Sequence, residues 1–315
     1  MSGADTECGI PLVDLMRGLI LFIYYWLEGI ALAIIPASFQ RKSVAGEKVL
    51  ITGAGSGLGR LLSHRFAKLG CELVLWDVNK EGNEQTAAQV KRLGVKVQAY
   101  EVDLSKREDV YKVADMVKKD IGDIDILINN AGIVTGKKFM DSPDSLIQKT
   151  MAVNTLAPFW TVKAFLPAML RRNHGHVVTI ASAAGLFGVT GLADYCASKC
   201  AVIGFDDSLR DELAYLGKDG IITTVVCPFY INTGMFDGVK SKFPLLLPIM
   251  DPDWVANKIV DGVLCNQRML ILPRILYFLL FIKSILPVKC AAIANKYLGA
   301  SSAMDEFKGR SVKCE

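Results

Sequence analysis

The sequence is poor in the residues that usually mark a metal site or a disulfide scaffold. It has three histidines in 315 residues, and its eight cysteines form neither a CxxC pair nor a repeated framework. Cys196 and Cys200 lie one helical turn apart, but no nearby histidine completes a zinc set, and His174 and His176 sit together in a turn before a strand. No metal is expected, and the cysteines read as reduced, structural residues of a cytosol-facing domain. The absence of any Asn-x-Ser/Thr sequon agrees with that. Charge of one sign is lacking too: 36 Lys and Arg face 32 Asp and Glu, a balance of +4. No basic stripe interleaves with aromatics, so a nucleic-acid partner is excluded. Internal repeats and low-complexity blocks are also missing.

Apolar residues are abundant. The hydrophobic fraction is 51% and the mean hydropathy is positive, high for a soluble enzyme. Residues 18–35 are nearly all apolar, broken by Glu28 and ended by Pro36. At about 18 residues this is near the lower limit for a spanning helix. Asp5, Glu7 and Asp14 precede it with only Arg17 opposing, while Arg41, Lys42 and Lys48 follow. The positive-inside rule then places everything after residue 40 in the cytosol. Asp14 ahead of the apolar core argues against a cleaved signal. The readings left are a spanning anchor and a monotopic or interfacial helix, with Glu28 favouring the shallower arrangement. A second apolar stretch, residues 275–286, is too short to span. It is either a buried helix over the sheet or a membrane-dipping helix beside a substrate entrance, with Arg274, Lys283 and Lys289 snorkelling to headgroups. A polar tail follows from Ser301, and Cys314 is misplaced for a prenylation box. Three parts result: an anchor over 1–40, a catalytic domain over 41–273, and an apolar helix with its tail over 274–315.

Between the ends, apolar β-branched runs at 48–52, 72–76, 95–101, 124–128, 176–181 and 221–226 read as strands. Helical patterns occupy 57–69 and 81–93, and longer ones lie around 142–171 and 192–216. This alternation predicts an α/β fold, a doubly wound Rossmann-like parallel sheet with helices on both faces.

The first strand runs into Thr52-Gly53-Ala54-Gly55-Ser56-Gly57-Leu58-Gly59 and then a helix. Gly53 permits the tight turn, Gly57 lets backbone amides approach a pyrophosphate, and Gly59 lets the helix pack on the sheet. A tight turn without ligand would look similar, but the strand–loop–helix setting points to a dinucleotide. The second strand ends at Asp77, which can accept from a ribose 2′-hydroxyl and would repel a 2′-phosphate. Neither Ser56 nor Val78 supplies the cation that phosphate needs, so the cofactor reads as NAD. Asp77-Val78-Asn79 would equally suit a plain turn.

Tyr195 and Lys199 stand at i and i+4, one helical face, about 6 Å apart in rise. An ammonium beside a phenol of ordinary pKa near 10 favours the phenolate, making Tyr195 a candidate acid/base. Lys199 could also hold a ribose hydroxyl. Ser182, thirteen residues earlier, could bind a substrate oxygen or merely cap the turn at Ala183-Ala184-Gly185. Taken together, Gly53 to Gly59, Asn129-Asn130-Ala131-Gly132, Asn154, Ser182 and Tyr195/Lys199 resemble the short-chain dehydrogenase/reductase family over residues 47–273. The resemblance implies a catalytic set of Ser182, Tyr195, Lys199 and Asn154, the last holding a water of a proton relay. It also implies Asp103 against the adenine, Asn129 to Gly132 beside the adenine ribose, and Thr233 at the nicotinamide carboxamide. Cofactor contacts would therefore run from Gly53, Ser56, Gly57, Leu58 and Gly59 through Asp77, Asp103 and Asn130 to Tyr195, Lys199 and Thr233. One departure is Pro228-Phe229, where the family usually has Pro-Gly.

Within the family, residues 75–84, 132–139 and 191–199 and the apolar N-terminus resemble membrane-bound retinol-oxidising members. That implies NAD-dependent oxidation of a lipophilic alcohol at endoplasmic-reticulum or lipid-droplet membranes. A hydroxysteroid substrate, as in the lipid-droplet 17-beta-hydroxysteroid dehydrogenases, is the alternative, and a catalytically weak coat protein the third reading. Helix faces around 142–171 and 192–216 resemble those that build family homodimers.

Overall fold

The structure is a computed structural model and describes residues 12–299 and 303–309. Asp5, Glu7, Ser301 and Cys314 lie outside the described residues. The described residues fall into two compact units, one ending at Lys42 and the other beginning at Ser43. The first holds helix α1 (Leu12–Ile34) and the short α2 (Ala37–Gln40). Along α1 large apolar side chains lie open, Phe22 at 68% and Trp26 at 62% exposure, so the helix has no core of its own to enter. Among the described residues, no helix is long and apolar enough to cross a membrane.

The second unit alternates strands with helices. Its elements are β1 (Lys48–Thr52), α3 (Gly57–Lys68), β2 (Glu72–Asp77), α4 (Lys80–Lys91), β3 (Val97–Glu101), α5 (Arg107–Asp120) and β4 (Ile126–Asn129), followed by α6 (Asp144–Met151), α7 (Ala157–Arg172), β5 (Gly175–Ile180), α8 (Ala193–Tyr215), β6 (Ile221–Pro228), α9 (Pro252–Leu264), β7 (Met269–Leu272), α10 (Ile275–Ile285) and α11 (Val288–Leu298). All pairings are parallel, in the order β3-β2-β1-β4-β5-β6-β7. Central strands buried on both faces need continuous apolar runs, and β1, β4 and β5 are buried almost end to end. Leu62 and Phe66 of α3 pack with Val255 and Ile259 of α9 on one face, and Val110 and Val117 of α5 with Phe165 and Met169 of α7 on the other. Chain order reverses between β1 and β4, so a cleft opens beyond their C-terminal ends. The doubly wound sheet expected from the alternation is the one observed.

Three differences from the sequence reading bear on the site. The helical pattern around 142–171 is broken by a π-helical turn, Ala152–Leu156. Pro158 follows in the first turn of α7, and it has no amide to donate to the carbonyl four residues back, so the ladder opens at Asn154. The four-residue edge strand β7 and helices α5, α9 and α11 were not read from the sequence. The apolar stretch at 275–286 forms α10, in which Leu276 is buried but Phe278 and Phe281 are 57% and 60% exposed, unlike a helix sunk against the sheet.

Candidate active site

The glycine loop is fixed by close approaches. Gly53 has φ +67°, and a Cβ there would lie 2.9 Å from the Ala131 Cα. A Cβ on Gly59 would run into the Gly53 carbonyl, so α3 sits directly on the loop. Ser56 precedes α3 without making a side-chain cap, which leaves the first amides of that helix for another acceptor. That free N-terminus, in a glycine-lined cradle, suits a pyrophosphate.

Every cofactor contact expected from the sequence lines one cleft: Gly53, Ser56, Gly57, Leu58, Gly59, Asp77, Asp103, Asn130, Tyr195, Lys199 and Thr233. Asp77 is braced there, accepting from the Gly55 amide and from the Asn79 amide, each at 2.8 Å. It therefore both makes the turn and presents a fixed carboxylate to the cleft. Arg60 donates to the Gly55 and Gly82 carbonyls and to Thr86 Oγ1, so this guanidinium is already engaged. Asp103 accepts from Ser105 Oγ at 2.6 Å. Burial pulls its carboxyl upward, but hydrogen bonds from Ser105 and the nearby Lys106 hold it below the usual carboxylate range. The Asn130 side chain donates to the Thr52 carbonyl at 2.8 Å, tying the ends of β1 and β4 together.

Ser182 and Tyr195 line this cleft and also a second, apolar one. Segments 183–194 and 232–247 both contribute to its wall, with Leu276 and Leu279 of α10. Ser182 Oγ accepts from the Ala184 amide at 3.1 Å, so it caps the turn and faces the cleft at once. Lys199 Nζ donates to the Ile180 carbonyl at 2.8 Å and lies 5.7 Å from the Tyr195 ring centre. Asn154 lines neither cleft; from the π-turn its amide accepts from Ile133 N (2.8 Å) and donates to Ile133 O (2.9 Å). A Cβ on Gly132 would lie 3.4 Å from both Asn154 Oδ1 and Lys199 Nζ, which places these two side chains around one narrow gap.

Burial dominates the electrostatics. It pushes the Tyr195 phenol up from its ordinary value, with the Ser182 hydroxyl opposing. It also pushes the Lys199 ammonium down to about 8. Desolvation thus sets the direction of the Tyr195 phenol, which is raised rather than lowered as its spacing from Lys199 predicted.

Phe229 occupies the place of the usual glycine without removing a polar group. It packs edge-on against Tyr230 at 4.7 Å and lines both clefts. Phe236 joins it, 5.7 Å from the Tyr195 ring. The sequence reading missed Gly55 as the donor to Asp77, although Gly-x-Gly-x-Gly-x-Gly already marked it. It also missed Tyr230, which no motif signals. Among the described residues, no cluster of metal-ligating side chains is present.

A short chain dehydrogenase family model matches residues 47–243. The human protein named epidermal retinol dehydrogenase 2 is 53% identical over 292 residues, 92% of this chain and 94% of that protein. Estradiol 17-beta-dehydrogenase 11 of Macaca fascicularis is 48% identical over 304 residues, 96% of this chain and 99% of that protein. A crystal structure of a short chain dehydrogenase/reductase from Burkholderia phymatum in complex with NAD covers 77% of this chain and 94% of its own, with a TM-score of 0.70 at 24% identity, a likeness of fold. The chain with the glycine loop, the braced Asp77 and the Tyr195/Lys199 pair is an oxidoreductase and belongs to the short chain dehydrogenase family.

Proposed function

We propose that the protein oxidises a lipophilic alcohol, all-trans-retinol, to the aldehyde with NAD at a cytosol-facing membrane surface. The observation that carries this reading is the apolar cleft that ends on Tyr195 and Ser182. An apolar wall favours a long hydrocarbon, and the two hydroxyls are the polar groups at the end where an alcohol would react. The relative named retinol dehydrogenase, alike over nearly the whole chain, supports the same substrate class.

NAD would be held by the glycine loop, the amides at the start of α3, Asp77 and Lys199, and when bound it supplies the hydride acceptor. The chain's own groups manage the proton. Ser182 orients the substrate oxygen, Tyr195 as phenolate takes the hydroxyl proton, and Lys199 keeps the phenolate accessible near neutral pH. Asn154, locked by Ile133, would hold the water that links Lys199 to a proton relay. Asp77 selects NAD, because a fixed carboxylate beside the 2′ position repels a phosphate.

Membrane attachment rests on the open apolar side chains of α1 and on the exposed Phe278 and Phe281 of α10 beside the cleft. An amphiphilic surface of this kind is stable when lipid covers it. We place the protein at the endoplasmic reticulum and lipid droplets, as a homodimer built on the α6–α8 faces. A hydroxysteroid is the second substrate reading, supported by the relative named estradiol 17-beta-dehydrogenase 11. A catalytically weak coat protein is disfavoured, because Ser182, Tyr195, Lys199 and Asn154 all stand in place.

Membranes carrying the protein, incubated with all-trans-retinol and NAD, should yield retinal, and NADP should serve poorly. Asp77→Ser should raise the NADP-to-NAD preference by roughly 10- to 100-fold, about 1.4–2.7 kcal/mol. Oxidation of estradiol in place of retinol would move the substrate to the steroids, and inactivity on both would favour the coat protein.

A further inference from the structure

We propose that residues 303–309 act as a strap that holds the loop after β6 closed over the junction of the two clefts, which makes Phe307 a positioning residue for substrate binding. The proposal rests on the reading of the apolar cleft as the substrate site. The loop in question carries Phe229, Thr233 and Phe236, all of which line the cofactor cleft, and Phe229 and Phe236 also line the apolar one.

The strap grips that loop at several points. The Lys308 amide donates to the Asp237 carbonyl at 2.8 Å, and the Lys240 amide donates to the Ala303 carbonyl at 3.4 Å. Lys240 Nζ pairs with Glu306 at 2.6 Å. Gly238 has φ +87°, and a Cβ there would strike the Glu306 carbonyl. The strap also reaches the opposite bank. Phe307 fills the space where Gly136, on the loop after β4, would otherwise carry a side chain, and its ring lies 6.4 Å from Phe236. Met304 is buried and packs at Gly191, just before the helix that bears Tyr195. The strap therefore ties together three segments that are far apart in the chain.

A second observation explains why the loop needs holding. The Tyr230 hydroxyl is buried without a hydrogen-bond partner in the same cluster as Tyr195, Val239 and Met304. An unpaired buried phenol favours opening toward water. Met304 and Phe307 supply apolar contact that works against that opening.

The test uses the full-length chain. Phe307→Ala should raise KM for the lipophilic alcohol about tenfold with kcat within about twofold, the pattern of lost binding shared by ground and transition states. Phe307→Leu should recover most of that loss. Gly238→Ala, which leaves every strap residue in place but pushes on the Glu306 carbonyl, should reproduce the effect. Amide hydrogen exchange over residues 232–240 should speed up in Phe307→Ala and Gly238→Ala alike. Unchanged KM together with unchanged exchange would overturn the strap, and so would a lowered KM, the mark of an obstructing segment. If wild-type protein turns over neither retinol nor estradiol, the substrate reading fails, while the exchange measurement still decides the strap.

Discussion

Replacing Tyr195 with phenylalanine should lower alcohol oxidation by about 10²–10⁴-fold while cofactor affinity stays within a few-fold of wild type. The substitution removes one oxygen and leaves the ring that packs edge-on against Phe236. Lys199 keeps its bond to the Ile180 carbonyl, and the glycine loop, Asp77 and Thr233 lie on other elements. The loss should therefore appear in kcat, with NAD binding followed by fluorescence nearly unchanged. Oxidation in the wild type should rise with pH, because the phenol must lose its proton before it can take one from substrate. Aldehyde reduction should fall over the same range. Burial raises the Tyr195 phenol, so the rise in oxidation should lie toward the alkaline end of the profile. Retention of more than a tenth of the oxidation rate in Tyr195→Phe would show that another group moves the proton.

Much of this site was legible because its parts are local. The glycine loop, Asp77 and the Tyr195/Lys199 spacing each occupy one turn of chain, and the strand runs that position them are buried on both faces and hence continuously apolar. The architecture followed from the same alternation. What stayed hidden depends on contacts across the chain. The π-turn that sets Asn154 lies inside an otherwise helical pattern, where only Pro158 hints at a break. Helix α5 did carry a signal, since Val110, Val113, Ala114 and Val117 recur at helical spacing and are all buried. Strand β7 is four residues long at the sheet edge, too short for alternation to show. Residues 303–309 read as a polar tail, and Met304 and Phe307 become apolar anchors only because loops from three other places meet them.

Burial also determines how Lys199 should respond to removal. Lys199→Met should abolish most activity and yet make the cofactor-free protein more stable. The ammonium is buried in a site that pushes its pKa from 10.5 to about 8, whereas in the unfolded chain it returns to its ordinary range. Between those values the unfolded state binds more protons, so wild-type stability rises with pH through that window. Below pH 8 the full cost is present, about 3 kcal/mol from the size of the shift. Methionine fills a similar volume without charge but leaves the Ile180 carbonyl without its donor, a loss of about 1–3 kcal/mol. The balance favours the variant by up to about 2 kcal/mol near neutral pH, or up to ~6 °C in Tm for a unit of this size. That advantage should shrink steadily from pH 8 toward pH 10.5 as the wild-type lysine ceases to be charged in either state. The residual activity of the variant should rise only at higher pH than in wild type, because the phenol has lost its neighbouring ammonium. Thermal melts and rate profiles on the same preparations would test both halves, and a destabilised Lys199→Met at pH 7 would mean that the ammonium is paired and stabilising in the free protein.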